Sequence, residues 1–146
     1  MPIRESRPIS TRPLTLADYE TVLSLWQAAE GVEVAEGDGR DEIARYLERN
    51  PGLSRVAEIE GEIVGAVLCG HDGRRGHIYH LAVATGHRGH GLGRRLVLEC
   101  VDGLRRCGIK RALLLVAGDN AAGRSFWISQ GFAPIAEALP MGLDLP

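Results

Sequence analysis

Apolar residues recur along this chain in two rhythms, one helical and one strand-like. Leu16, Tyr19, Leu23 and Trp26 fall three or four positions apart and predict a helix with one apolar face. Thr15 sits where an N-cap belongs, with Asp18 in the first turn. A short strand, Arg7 to Arg12, precedes it and stops at Pro13. The glycine-rich acidic stretch Gly31–Gly39 ends the first helix. A second runs from about Gly39 to Arg49, with Ile43 and Leu47 inward, and closes at Asn50-Pro51-Gly52. Strand-like runs follow at Ser54–Ile59 and Glu62–Cys69 around Glu60-Gly61, then at His77–Ala84 after the turn His71–Gly76, which predicts an antiparallel meander. Leu92, Leu96, Cys100, Leu104 and Cys107 mark one face of a long amphipathic helix, with Gly108 at its C-terminal cap. Ala112–Ala117 is apolar throughout, as in a strand covered on both faces. Asp119 or Asn120 caps a last helix reaching Gln130, Gly131 closes it, and Phe132–Leu139 predicts a final strand. The order βααβββαβαβ describes one α/β (α+β layered) domain over residues 1–146, a mixed, mostly antiparallel central sheet flanked by helices.

Composition narrows the function classes. With 45% hydrophobic and 25% charged residues the chain has ordinary globular composition, which excludes a disordered or fibrous protein. A net charge of −2 argues against nucleic acid as a partner. No apolar run approaches the ~18–20 residues of a membrane span. Met1 to Glu5 lacks the pattern of a signal peptide. Three cysteines without a CxxC pair fit reduced thiols and a cytoplasmic location. The balance conceals an asymmetry: residues 1–62 carry 13 acids against 7 bases, and residues 63–146 carry 6 against 10. Six of the acids lie between Glu30 and Glu42, whereas Gly73 to Leu98 holds five arginines and no acid. One reading is two solvated faces; the sharper one is a cation-attracting mouth in the first half and an anion site in the second.

The anion site has a location. His80 to Leu96 runs from strand through the glycine-rich turn Gly86-His87-Arg88-Gly89-His90-Gly91 into a helix. Glycine lets backbone approach a bulky anion, and the first N–H groups of a helix have no partners of their own. A dinucleotide fingerprint from Gly89 would need glycine where Arg94 stands, and a Walker loop from Gly86 would need lysine where Leu92 stands. What fits is Arg88-x-x-Gly91-x-Gly93, preceded by Leu81-Ala82-Val83. Downstream come Asn120-Ala121-Ala122-Gly123-Arg124-Ser125-Phe126-Trp127 and Gln130-Gly131-Phe132. In these two motifs, and in the strand between them, the chain resembles the GNAT superfamily of acetyl-CoA-dependent acyltransferases over nearly its whole length. Its kin there are the small single-domain bacterial type, YpeA/RimI-like.

The resemblance implies acetyl-CoA as co-substrate. Backbone N–H groups from Arg88 through Gly89, His90, Gly91, Leu92 and Gly93 to Arg94 would cradle its pyrophosphate, with Arg88, Arg94 and Arg95 toward phosphate oxygens. Leu81, Ala82 and Val83 would border the pantetheine arm, with Leu81 and Val83 offering main-chain groups, and Asn120, Phe126 and Trp127 would line the thiol end. Asn120 is equally a helix cap, and Phe126 equally a core residue. The implied reaction is direct attack of a primary amine, on a small molecule or a peptide N-terminus, which needs a general base and a proton for the departing thiolate. The chain departs from the family pattern at Leu115, where related enzymes carry Glu, and at Trp127, where many carry Tyr. His80 and Tyr79 on the third meander strand are left as catalytic candidates, with His77 and Glu58 behind them. Alternation puts His77 and Tyr79 on one face and His80 on the other unless a bulge intervenes. No cysteine or acid completes a metal tetrahedron around His77/His80 or His87/His90, so no metal is expected. The acceptor is expected beside the acidic stretch Glu30–Glu42, in a monomer or homodimer. The competing function is a CoA-binding sensor or regulatory module that turns over weakly or not at all.

Overall fold

The computed structural model describes residues 7–146, so the reading of Met1 to Glu5 lies outside the described residues. By its contacts the chain divides into two units between Leu115 and Val116. The larger is built on a five-stranded sheet in the order β1-β2-β3-β4-β5: Ile9–Pro13, Arg55–Ile59, Glu62–His71, Gly76–Val83 and Ala112–Leu113. The first three pairings are antiparallel and the last is parallel. β2 and β3 are joined by Glu60-Gly61 with φ +52° and +78°, a two-residue turn whose twist matches that of its strands.

Helices α1 (Tyr19–Ala28) and α2 (Arg40–Arg49) cover one face of the sheet. One 3₁₀ turn, Leu16–Asp18, leads into α1, and Asp18 accepts the Thr15 N–H at 2.9 Å, so the predicted helix start is real but tighter than α. Val22 and Trp26 of α1 and Ile43 of α2 are buried on Val56, Ala66, Leu68 and Ala82 of the sheet. Helix α3 (Leu92–Arg106) covers the other face, burying Leu92, Leu96, Val97, Cys100 and Leu104. It ends as predicted at Gly108, φ +80°, with the Ile109 N–H on the Leu104 carbonyl and the Gly108 N–H on that of Arg105. Cys107 is exposed rather than on the buried face, because the helix has already reached its cap there. Glu99 of α3 accepts from Thr11 of β1 and Arg55 of β2, fastening both strands to the helix.

Two predicted strands are corrected. The run Ala112–Ala117 pairs only at Ala112 and Leu113, opposite Gly76 and His77, and Leu115 is 74% exposed. The ladder stops where β4 bends toward its bulge at His80. Phe132–Leu139 forms no strand: Pro134 has no N–H to give a ladder, and the Ala138 N–H turns back to the Ile135 carbonyl.

The second unit, from Val116 on, contains α4 (Ala121–Ser129). Asn120 caps it by accepting the Gly123 N–H at 2.9 Å. Gly131, φ +97°, closes it, and Trp127 makes edge-to-face contacts with Phe126 and Phe132 at 5.1 and 5.2 Å.

Candidate active site

Between Tyr79 and Ala82 strand β4 carries one residue too many. Tyr79 opposes Leu68 and Ala82 opposes Ala66, so His80 and Leu81 together face Val67. The extra residue is accommodated by His80 at φ +53°, a left-handed conformation uncommon for a side chain of this size. The bulge changes which residues share a face. Tyr79 and His80, opposed in a regular strand, both line one cleft of about 320 Å³ beneath α1 and α2. His77 keeps its expected side and stacks on Tyr79, ring centroids 5.7 Å apart and nearly parallel.

Within that cleft His80 Nε2 lies 2.9 Å from Asp38 Oδ2, and both side chains are largely buried. Asp38 belongs to the loop between α1 and α2. The Tyr19 hydroxyl donates to its carbonyl at 2.7 Å, and its carboxylate also accepts the Ala35 N–H at 3.0 Å. The Trp26 ring meets the His80 ring edge-on at 5.1 Å. Glu33 and Glu36 of the same loop and Tyr46 of α2 complete the polar lining. Burial raises the Tyr79 phenol above its ordinary value, and that of Tyr46 further still. Two buried polar atoms on this side, Trp26 Nε1 and Tyr46 Oη, have no hydrogen-bond partner among the described residues. The acidic stretch and the two catalytic candidates are thus brought together. Glu58 is not among them: it pairs with Arg12, which also holds Asp18 through two bonds of 2.7 and 2.8 Å.

Three residues after His80 the strand enters the glycine loop. A 3₁₀ turn at Thr85–His87 leads to Gly89 and Gly91, φ +81° and +76°, and α3 begins at Leu92. No side chain caps this helix, its first turn holds no acid, and the N–H groups of Leu92, Gly93 and Arg94 find no acceptor among the described residues. Such an end attracts an anion. Ala82 and Leu92 bury their side chains in the core, which leaves only their main chain for a ligand. Gly89, His90, Gly91 and Arg94 are exposed, Leu81 and Val83 half-buried. Arg88 folds back on the Val83 carbonyl at 3.2 Å. Arg95 bonds to Glu99 at 3.3 Å and to the Ile9 carbonyl of β1 at 3.0 Å. Because β5 pairs only to His77, the β4 edge from Ile78 to Val83 has no partner in β5. These features suit a phosphate-bearing, extended ligand such as CoA. Asn120 and Trp127 stand on α4 in the second unit, where Asn120 serves its own helix as a cap. Among the described residues no three His, Cys, Asp or Glu side chains group as a metal site requires, and no helix is long and apolar enough to cross a membrane.

The model of the acetyltransferase (GNAT) family matches residues 19–132. The chain belongs to that family. As a GNAT protein it is an acetyl-CoA-dependent N-acetyltransferase. It is 36% identical over 105 residues to an acetyltransferase of Sodalis glossinidius, covering 72% of this chain and 73% of the relative. To one of Pectobacterium atrosepticum it is 37% identical over 105 residues, covering 72% and 74%. Among solved structures the GNAT fold recurs in Ard1 from Thermoplasma volcanium, with a TM-score of 0.76 at 21% identity over 86% of this chain and 82% of that one. It recurs also in the PaiA N-acetyltransferase of Thermoplasma acidophilum in complex with coenzyme A, with a TM-score of 0.73 at 19% identity over 86% and 90%.

Sequence reasoning missed Trp26 and Tyr46 as residues of the site, and missed the pairing of Asp38 with His80. Asp38 was visible only as one of six acids, and Trp26 only as a point on an apolar stripe. The sole local signal was an acid between two glycines, Gly37-Asp38-Gly39.

Proposed function

We propose that this GNAT enzyme moves the acetyl group of acetyl-CoA to a primary amine, on a small molecule or a peptide N-terminus, by direct attack in a ternary complex. The observation that carries the reading is the continuity of β4. One strand presents His80 to a polar cleft, offers a free edge from Ile78 to Val83, and ends in a glycine loop with unpaired N–H groups. The N–H groups of Leu92, Gly93 and Arg94, with Arg88 and Arg94 beside them, would hold phosphates. Main-chain groups of Leu81 and Val83 would align the acyl arm. His80 takes a proton from the amine as nitrogen bonds to the acyl carbon. The carbon–sulfur bond then breaks, and the proton held by His80 passes, directly or through water, to the departing thiolate. Tyr79, a phenol protonated at neutral pH, supplies a hydrogen-bond donor in the same cleft. No metal takes part in these steps, and the unpaired thiols fit a cytoplasmic setting.

Thermal unfolding with acetyl-CoA, CoA, ATP and NADH in parallel tests the donor side. A ligand at about 100 times its Kd adds roughly 2.7 kcal/mol, which for a chain of this size raises Tm by about 5–10 °C. Stabilisation by the two CoA species alone is expected, and equal stabilisation by ATP and NADH would sink the reading. Thiol release with a panel of amines tests which acceptors are taken.

A further inference from the structure

The hydrogen bond between His80 and Asp38 sets which nitrogen of the imidazole is free. Asp38 Oδ2 lies 2.9 Å from Nε2. A carboxylate can only accept, so in the neutral ring the proton sits on Nε2 and the lone pair on Nδ1. No described residue bonds to Nδ1. The ring is fixed from three sides. The left-handed backbone at His80 aims it, Trp26 meets it edge-on at 5.1 Å, and Asp38 holds its far nitrogen. Asp38 is itself held, by the Tyr19 hydroxyl on its carbonyl and the Ala35 N–H on its carboxylate.

We infer that Asp38 is a positioning residue, which keeps His80 in the Nε2–H tautomer and so presents Nδ1 as the proton acceptor for the incoming amine. This rests on the acetyl-transfer reading above but makes a claim that can be examined without turnover. The strained backbone supports it, since such conformations persist where the surroundings over-determine them and concentrate at functional sites. So does the construction of the pair. Its members lie far apart in sequence, on a bulged strand and on a loop, and both are withdrawn from solvent. The developing imidazolium would be balanced by the Asp38 charge, an arrangement in which a buried carboxylate orients and stabilises a histidine base. The other titratable groups around the cleft are Glu33 and Glu36 on the same loop, Tyr46 on α2 and Tyr79 on β4; none is recorded in a hydrogen bond to the ring.

The test combines proton–nitrogen correlation spectra of the imidazoles with kinetics on two probe acceptors, 1,4-diaminobutane and glycinamide. The His80 signals are assigned by their loss in His80→Asn, a residue that tolerates the left-handed backbone. The wild-type ring is expected as the Nε2–H tautomer. Asp38→Asn, whose amide can donate as well as accept, should populate Nδ1–H and lower kcat at least about tenfold, with the KM for acetyl-CoA unchanged. Tyr19→Phe removes the other anchor of the loop and keeps the carboxylate, so it should cost far less than Asp38→Asn. A wild-type Nδ1–H tautomer, an Asp38→Asn kcat within twofold of wild type, or equal losses in the two variants would each overturn the assignment. Should neither amine be acetylated by wild type while the Nε2–H signature is present, the positioning of His80 stands and what fails is transfer to these two kinds of amine. Unfolding midpoints of all variants show whether each is folded.

Discussion

Beneath α3 the sheet is closed by shape. A side chain at Gly65 would lie 3.1 Å from Leu96, and one at Gly76 only 2.5 Å from Leu104, so helix and strands meet with nothing between them. Beneath α1 and α2 the same strands carry Tyr79 and His80, and the buried groups Trp26 Nε1 and Tyr46 Oη find no partner among the described residues, next to a loop rich in acids. One face maximises contact; the other leaves polar groups unsatisfied and a cleft open. The contrast teaches where the fold is spent on stability and where it is spent on chemistry. Unpaired buried polar groups cost free energy, and they persist where something other than stability is served.

The comparison is broken most easily at the closed face. Leu96→Ala deletes a fully buried side chain of α3 and should cost about 3 kcal/mol in denaturant unfolding. Little loss would mean that α3 packs more loosely than its contacts with Gly65 imply. A smaller effect is expected at the entrance to α1, where Arg12 holds the Asp18 carboxyl below the usual carboxylate range. A depressed carboxylate adds stability that is complete above its unfolded value, about pH 4, and is lost as pH falls through the folded value. Asp18→Asn should therefore be less stable by about 2 kcal/mol at pH 7, and the gap to wild type should narrow below about pH 4. A gap independent of pH would show that the ion pair contributes little. The smallest effect sharpens the contrast. Tyr46→Phe removes a hydroxyl that has no partner among the described residues, so stability should hold or rise by up to about 1 kcal/mol. A loss of that size would reveal a hydrogen bond on the open face.

How much of this could be read in the residues depended on the range of the interaction. The meander, α3 and its closure at Gly108 follow from short periodicities and from glycine at turns, and the structure reproduces them. The glycine loop was legible for the same reason, since it is made of backbone and lies within a single stretch from Gly86 to Gly93. The His80–Asp38 pair was not, because it joins residues 42 apart and depends on a bulge that reverses one side chain. Nor was the shortness of β5. Ala-Leu-Leu-Leu-Val-Ala describes what a buried strand prefers, but whether a partner edge exists is decided by the path of β4. Arg95 shows the same limit: its charge was evident, its engagement with Glu99 and β1 was not.

The three cysteines turn out to differ in a way that bears on measurement. Cys69 and Cys100 are buried and Cys107 is exposed, and the neighbouring Cys69, together with burial, pushes the Cys100 thiol up. Since the thiolate is what reacts, an aromatic disulfide reagent should titrate one sulfur per folded chain and three once it is unfolded. The protein thus carries its own folding indicator at the tip of α3, where a single dye can be attached at Cys107. An assay that counts liberated coenzyme thiol starts from a fixed background of one per chain, and a rising background reports unfolding rather than turnover.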